Sequence, residues 1–144
     1  MKIELIFTVA NSFIPLCWLL LMIAPRWRVT RIAILSGMVP AIYAIVYMVL
    51  IVQYFGQGDG DFSSLSGVMK LFENPGAVTA GWIHYLAFDL FVGTWIVSNS
   101  QKHFIHHLLI VPCLLLAFLF GPIGLLLYLI IRSMKTKKIL HENF

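Results

Sequence analysis

Apolar residues along this chain are gathered into four long blocks separated by short polar stretches. The blocks run from about Leu5 to Ala24, Ile32 to Phe55, Val78 to Val97 and Phe104 to Ile131. Each is close to or above the roughly 20 residues that a helix needs to cross the hydrocarbon core. The strict alternation that barrel strands require is missing, and in lipid a lone segment can satisfy its backbone only as a helix. The pattern predicts an all-α integral membrane protein, a single transmembrane domain over 1–144 built as a four-helix bundle.

The connecting stretches refine this picture. "APRWRVTR", Ala24 to Arg31, is a short loop in which Pro25 ends the first helix, Trp27 suits the interface and the arginines meet lipid phosphates. "GQGDGD", Gly56 to Asp61, is an acidic turn. After it Leu65, Val68, Met69 and Phe72 recur at helical spacing, which predicts a short interfacial amphipathic helix between helices 2 and 3, either a plain connector or a lid, ended by Asn74, Pro75 and Gly76. The fourth block is longer than a bilayer requires. Pro112 and the pair Gly121 and Pro122 predict a kinked or tilted helix there.

Composition supports the membrane assignment: 60% of the 144 residues are apolar and the mean hydropathy is +0.92. The net charge of +4 comes from basic residues beside the spans, among them Arg26, Arg28, Arg31, Arg132, Lys135, Lys137 and Lys138, where lipid headgroups account for them. Nucleic acid is therefore not implied; the expected partners are membrane lipid and a second copy of the chain. Four spans put both termini on one side, and the Lys and Arg counts on the two sides leave the orientation open. The first block exceeds a signal peptide and lacks its cleavage site, so it is expected to remain. With no transit-like extension ahead of it, the expected location is a bacterial inner membrane, or a plastid membrane in a eukaryote. Cys17 and Cys113 lie inside spans without CxxC spacing and read as small buried hydrophobes.

Candidate chemistry concentrates in "GWIHYLAFDLFVG", Gly81 to Gly93. Asp89 falls near the middle of the third span, where an ionisable group costs a few kcal/mol and is a functional candidate for that reason. His84 precedes it by five residues, about 140° around the helix. Trp82, Tyr85 and Gly93 share the face of Asp89, whereas Phe88, Phe91 and Trp95 share that of His84. Asn11 in the first span either orients a substrate or Asp89, or hydrogen-bonds between helices. The plainer reading of the pair is that Asp89 bonds a partner helix and His84 a backbone carbonyl. "HFIHH", His103 to His107, resembles one histidine box of membrane di-iron enzymes, but five histidines in all fall short of that class. A single zinc on His103, His106 or His107 is the residual metal reading, without an HExxH base; neither a metal nor a cofactor is expected. GxSxG, Walker and GxGxxG patterns are absent, so any reaction should be redox-neutral or use a lipophilic cofactor.

Three strings, "NSFIPLCWLLLMIAPRWRVT", "GWIHYLAFDLFVGTWI" and "PCLLLAFLFGPIGLLLYLIIR", resemble blocks of the neoxanthin-synthase-like, or abscisic acid-deficient 4-like, family of small membrane proteins. The resemblance runs from Asn11 to Arg132, with W-x-H-x-x-A-x-D-L-F at Trp82 to Phe91 its most specific motif. It implies a carotenoid or isoprenoid isomerase that opens an epoxide end group to an allenic alcohol. Such a step uses an acid at the epoxide oxygen and a base at the adjacent polyene carbon, roles that Asp89 and His84 can fill, and the resemblance implies a hydrophobic polyene as the partner, lined by Asn11, Trp82, Tyr85, Phe88, Phe91 and Trp95. Two other classes stay open: a non-catalytic carotenoid-binding or assembly protein, and a small transporter.

Overall fold

The computed structural model describes residues 3–57 and 60–136, and among these no strand occurs. Its helices are α1 (Ile3–Ile23), the single turn α2 (Arg28–Thr30), α3 (Met38–Tyr54), α4 (Leu65–Leu71), α5 (Pro75–Lys102), α6 (His107–Phe120) and α7 (Pro122–Thr136), with a π-helical turn, Arg31–Leu35, between α2 and α3. Three stretches are long and apolar enough to cross a bilayer: Ile3–Ile23, Arg28–Tyr54 and Pro75–Lys102.

The third of these stretches begins earlier than its apolar block because Asn74 caps it. The Asn74 Oδ1 accepts from the backbone N–H groups of Gly76 (2.8 Å) and Ala77 (3.3 Å), and Pro75 occupies the first helical position, where its missing N–H costs nothing. The expected interfacial helix is present as α4. Ser64 caps it by accepting from Gly67 N–H at 3.0 Å, and Leu65, Met69 and Phe72 are exposed. Residues 58–59 of the acidic turn, like Lys2, Lys137 and Lys138, lie outside the described residues.

The fourth apolar block departs from expectation. Pro112 sits within an unbroken α6, and the chain breaks at Gly121, whose φ of 50° and ψ of −98° suit glycine alone. The break is a reversal, not a kink. A Cβ built on Gly124 would run into the backbone nitrogen of Ala117 and the carbonyl oxygen of Cys113, so the two legs meet backbone to backbone. At about 1.5 Å per residue each leg is roughly 21–23 Å long, short of the roughly 30 Å hydrocarbon core. What the sequence presents as one kinked span, 104–131, is a hairpin of two short helices.

Two compact units divide the chain: Met1–Pro15 with Val39–Phe88, and Leu16–Met38 with Asp89–Phe144. The first has Ile14, Tyr43, Leu50, Ala80 and Ile83 in its core, and the Tyr43 hydroxyl donates to the Ala10 carbonyl at 2.8 Å. Trp18, Leu21, Leu90, Ile110 and Leu114 fill the second. There the Trp18 ring lies against Gly93, where an added Cβ would come within 2.8 Å of it, and packs on Phe118 at 5.5 Å. Cys17 and Cys113 are both buried free thiols.

Candidate functional site

The first unit holds an apolar groove of about 210 Å³. Tyr47 and Ile51 of α3, Leu71 and Phe72 at the end of α4, and Gly81 and His84 of α5 form its walls. Tyr54 closes it further along. Its ring lies directly on Gly76, where a Cβ would clash with it, so the small residue after Pro75 lets the tyrosine turn toward the groove. Among the lining residues His84 is the one imidazole or carboxyl. Its ring is held between Tyr47, 5.1 Å away, and Phe88, 4.7 Å away. A cavity of roughly 150 Å³ accepts a benzene ring, so this groove admits one substituted six-membered ring but not a whole polyene.

The faces of α5 follow the helical register only in part. His84, Phe88 and Phe91 are exposed, Phe88 at 59% and Phe91 at 54%, and form an outward imidazole and aromatic stripe. Trp95 does not continue it: it is half-buried, with its ring edge-on to Tyr128 at 5.5 Å. On the other face Trp82 stacks on Tyr85 at 5.4 Å and meets the tilted ring of Phe7 at 6.0 Å. The Trp82 indole N–H donates to Asn11 Oδ1 at 3.2 Å. Asn11 of α1 thus engages Trp82 of α5.

Asp89 belongs to the second unit, whereas His84 belongs to the first. The half-buried Asp89 side chain lies against the hairpin bend, where a Cβ on Gly121 would stand 2.9 Å from Oδ1 and 3.3 Å from Oδ2. Further along the same unit the Tyr128 hydroxyl donates to Asn99 Oδ1 at 2.6 Å, with both residues buried. Arg132, one turn beyond Tyr128, is only 6% exposed. That overturns its assignment to lipid headgroups, because the hairpin turns this part of α7 into the protein. The polar group of Asn99, Tyr128 and Arg132 is not evident in the sequence, where Asn99 looks like the polar end of a span. Tyr47 and Tyr54 were likewise hidden in an apolar run.

His107 is fixed by the backbone: its Nε2 lies 2.8 Å from the Met22 carbonyl, and since a carbonyl only accepts, Nε2 carries the proton. Among the described residues no three His, Cys, Asp or Glu side chains are grouped to hold a metal.

The chain matches the sequence pattern of the family described as ABA DEFICIENT 4-like over residues 5–128. It is 22% identical over 147 residues to Protein ABA DEFICIENT 4, chloroplastic, of Arabidopsis thaliana, an alignment covering 96% of this chain and 63% of the relative. The chain therefore spans less than two thirds of that protein's length. No solved structure matches. The relative is a chloroplast protein, and neither comparison supports the bacterial inner membrane expected from the sequence. By the extent of the family match, the chain belongs to the ABA DEFICIENT 4-like family.

Proposed function

We propose that this protein is a membrane-embedded isomerase acting on an epoxy-carotenoid or a related isoprenoid. The observation that carries the reading is a ring-sized apolar groove with a single imidazole in its wall, in a chain of this family. A cyclic end group fits the groove, and the polyene leaves it past the exposed ring of Phe88. In the reaction an acid protonates the epoxide oxygen, the ring C–O bond breaks, and a base removes a proton from the neighbouring polyene carbon. An allenic alcohol of unchanged formula results, with no electron acceptor needed. His84 is assigned the base or orienting role and Asp89, on the same helix, the acid role.

A second reading has its own support. Asn11 is engaged by Trp82, and the Asp89 carboxylate packs on Gly121, as expected of side chains that hold helices together in a carotenoid-binding or assembly protein. One experiment separates the two: chromatography of pigments from cells making epoxy- and hydroxy-carotenoids, with and without this protein. A new pigment of equal mass and altered absorption supports the isomerase. Unchanged pigments that co-purify with the protein would remove the catalytic reading and leave the binding one.

A further inference from the structure

The second unit carries a concavity that the groove and its chemistry do not use. Arg26, Arg28, Arg31, Ile32 and Ser36 line a cavity of about 650 Å³. Beside it, and sharing Arg26, a cavity of about 690 Å³ is lined by Trp27, Gln101, Phe104, His106 and His107 among others. No carboxylate lines either one.

Local backbone geometry makes the arginines converge. The chain leaves α1 through a tight turn in which Trp27 N–H bonds the Ala24 carbonyl at 3.1 Å, then makes the single turn α2. The π-helical turn follows, and its i to i+5 bond, Ser36 N–H to Arg31 carbonyl at 3.0 Å, stacks Ser36 over Arg31. An α-helix would leave those two residues about 140° apart. Single π-turns are uncommon and collect at functional positions. Among the described residues none of the three guanidinium groups makes a hydrogen bond or an ion pair. Thr30 between them is fully buried, and its Oγ1 also lacks a hydrogen-bond partner there.

We infer that this concavity is a binding site for a phosphate-bearing anion, with Arg26, Arg28 and Arg31 as the charged contacts. Three donor-rich forks facing one space match phosphate oxygens in charge and geometry. Ile32 and Trp27, both more than half exposed, give the same region an apolar border that suits the glycerol and first methylenes of an anionic phospholipid. A free phosphate ester offers the same oxygens without the chains.

The test is lipid retention by the full chain in detergent, read by native mass spectrometry against added phosphatidylglycerol, phosphatidylcholine and glycerol 3-phosphate. Phosphatidylglycerol is expected to bind in a one-to-one complex and phosphatidylcholine far more weakly. Near an anionic lipid each cation contributes roughly five-fold in affinity, so the triple variant Arg26→Gln, Arg28→Gln, Arg31→Gln should lose on the order of 100-fold. Lys135→Gln, which lines neither cavity, should change retention less than about two-fold. Competition by glycerol 3-phosphate would identify the phosphate group itself as the ligand, whereas its failure to compete would identify the lipid. Equal retention of the two phospholipids, or an unchanged affinity in the triple variant, overturns the site. Should the glutamine triple fail to fold, the corresponding lysine triple keeps the charge but loses the fork; it must still weaken phosphatidylglycerol selectively, and equal retention there also overturns the site.

Discussion

Gly121 stands directly against the carboxylate of Asp89, with room between them for hydrogen atoms and nothing larger. Two constraints meet at this glycine. The backbone needs its positive φ of 50°, and the space in front of it is already taken by Oδ1 and Oδ2. Gly121→Ala is therefore expected to destabilise the protein by about 1–3 kcal/mol, seen as a lower midpoint of thermal unfolding in detergent. An unchanged midpoint would mean that the bend can relax away from Asp89.

Proton transfer by Asp89 and His84 is tested by variants that keep shape. Asp89→Asn retains the hydrogen-bonding outline but cannot give up a proton, and His84→Phe retains the aromatic contacts with Tyr47 and Phe88. Each is expected to reduce pigment isomerisation by roughly 100- to 10,000-fold, the usual contribution of a general acid or base, while the protein still folds and carries pigment. Turnover within two-fold of the parent for either variant would remove that residue from the mechanism.

The Tyr128 hydroxyl and Asn99 form a buried pair inside the second unit. Tyr128→Phe leaves the Asn99 acceptor buried and unsatisfied and should cost about 1–3 kcal/mol. Tyr128→Phe combined with Asn99→Leu should recover part of that loss, because no orphaned acceptor remains. Equal melting of the single and double variants would show that water or another group serves Asn99.

A hairpin and a straight fourth span differ in where they send the end of α7. With the hairpin, Lys135 emerges on the side that carries Arg28; with a single span from 104 to 131 it emerges on the opposite side. Lys135→Cys and Arg28→Cys, each in a background lacking Cys17 and Cys113, should react with a membrane-impermeant maleimide from the same side of sealed vesicles. Glu4→Cys should react only from the other. Within the second unit the hairpin also brings Arg132 and Lys135 of α7 back toward the end that carries Arg26, Arg28, Arg31 and Lys102. The positive-inside tendency predicts that this basic side is the one not translocated, and the same maleimide labelling in oriented vesicles checks it.

Asp61 gives a pH prediction outside the membrane. Hydrogen bonds from the Ser63 hydroxyl (2.6 Å) and backbone N–H (2.7 Å) hold its carboxyl below the ordinary value of 3.8. A carboxyl lowered on folding stabilises the fold above its unfolded pKa and loses that contribution as pH falls through the folded value. The turn before α4 should therefore keep its structure down to pH 3.8 and loosen only below it, followed by the amide shift of Ser63. Loosening already at pH 5 would contradict the bonding seen here.

Much of the fold is legible in the sequence because apolar length and local capping carry it. Three stretches able to cross a bilayer, the short helix after the acidic turn, and the Asn74, Pro75 and Gly76 break are all local in origin. The outward stripe of His84, Phe88 and Phe91 also follows from register alone. The hairpin does not, since Gly121 and Pro122 mark a discontinuity without stating its angle. A φ of 50° and the meeting of Gly124 with Ala117 depend on how the legs pack. The same gap hid Arg132: a cation after an apolar run reads as interfacial unless the run is known to turn back. Nor does periodicity say that Trp95 leaves its stripe for Tyr128, or that Asn11 and Trp82 find each other.

The reversal at Gly121 bears on how the protein enters the bilayer. Insertion machinery samples a nascent segment by its length and apolarity, and by that measure the stretch that becomes α6 and α7 is a stop-transfer sequence. In the folded chain that stretch instead turns back at the Gly121 bend, with the close fit of Gly124 beside it. Bulky residues at both positions, Gly121→Leu with Gly124→Leu, are expected to straighten the segment and move Lys135 to the opposite face, read by maleimide labelling of Lys135→Cys in that background. The hairpin thus rests on two positions where a hydrogen atom stands in place of a side chain.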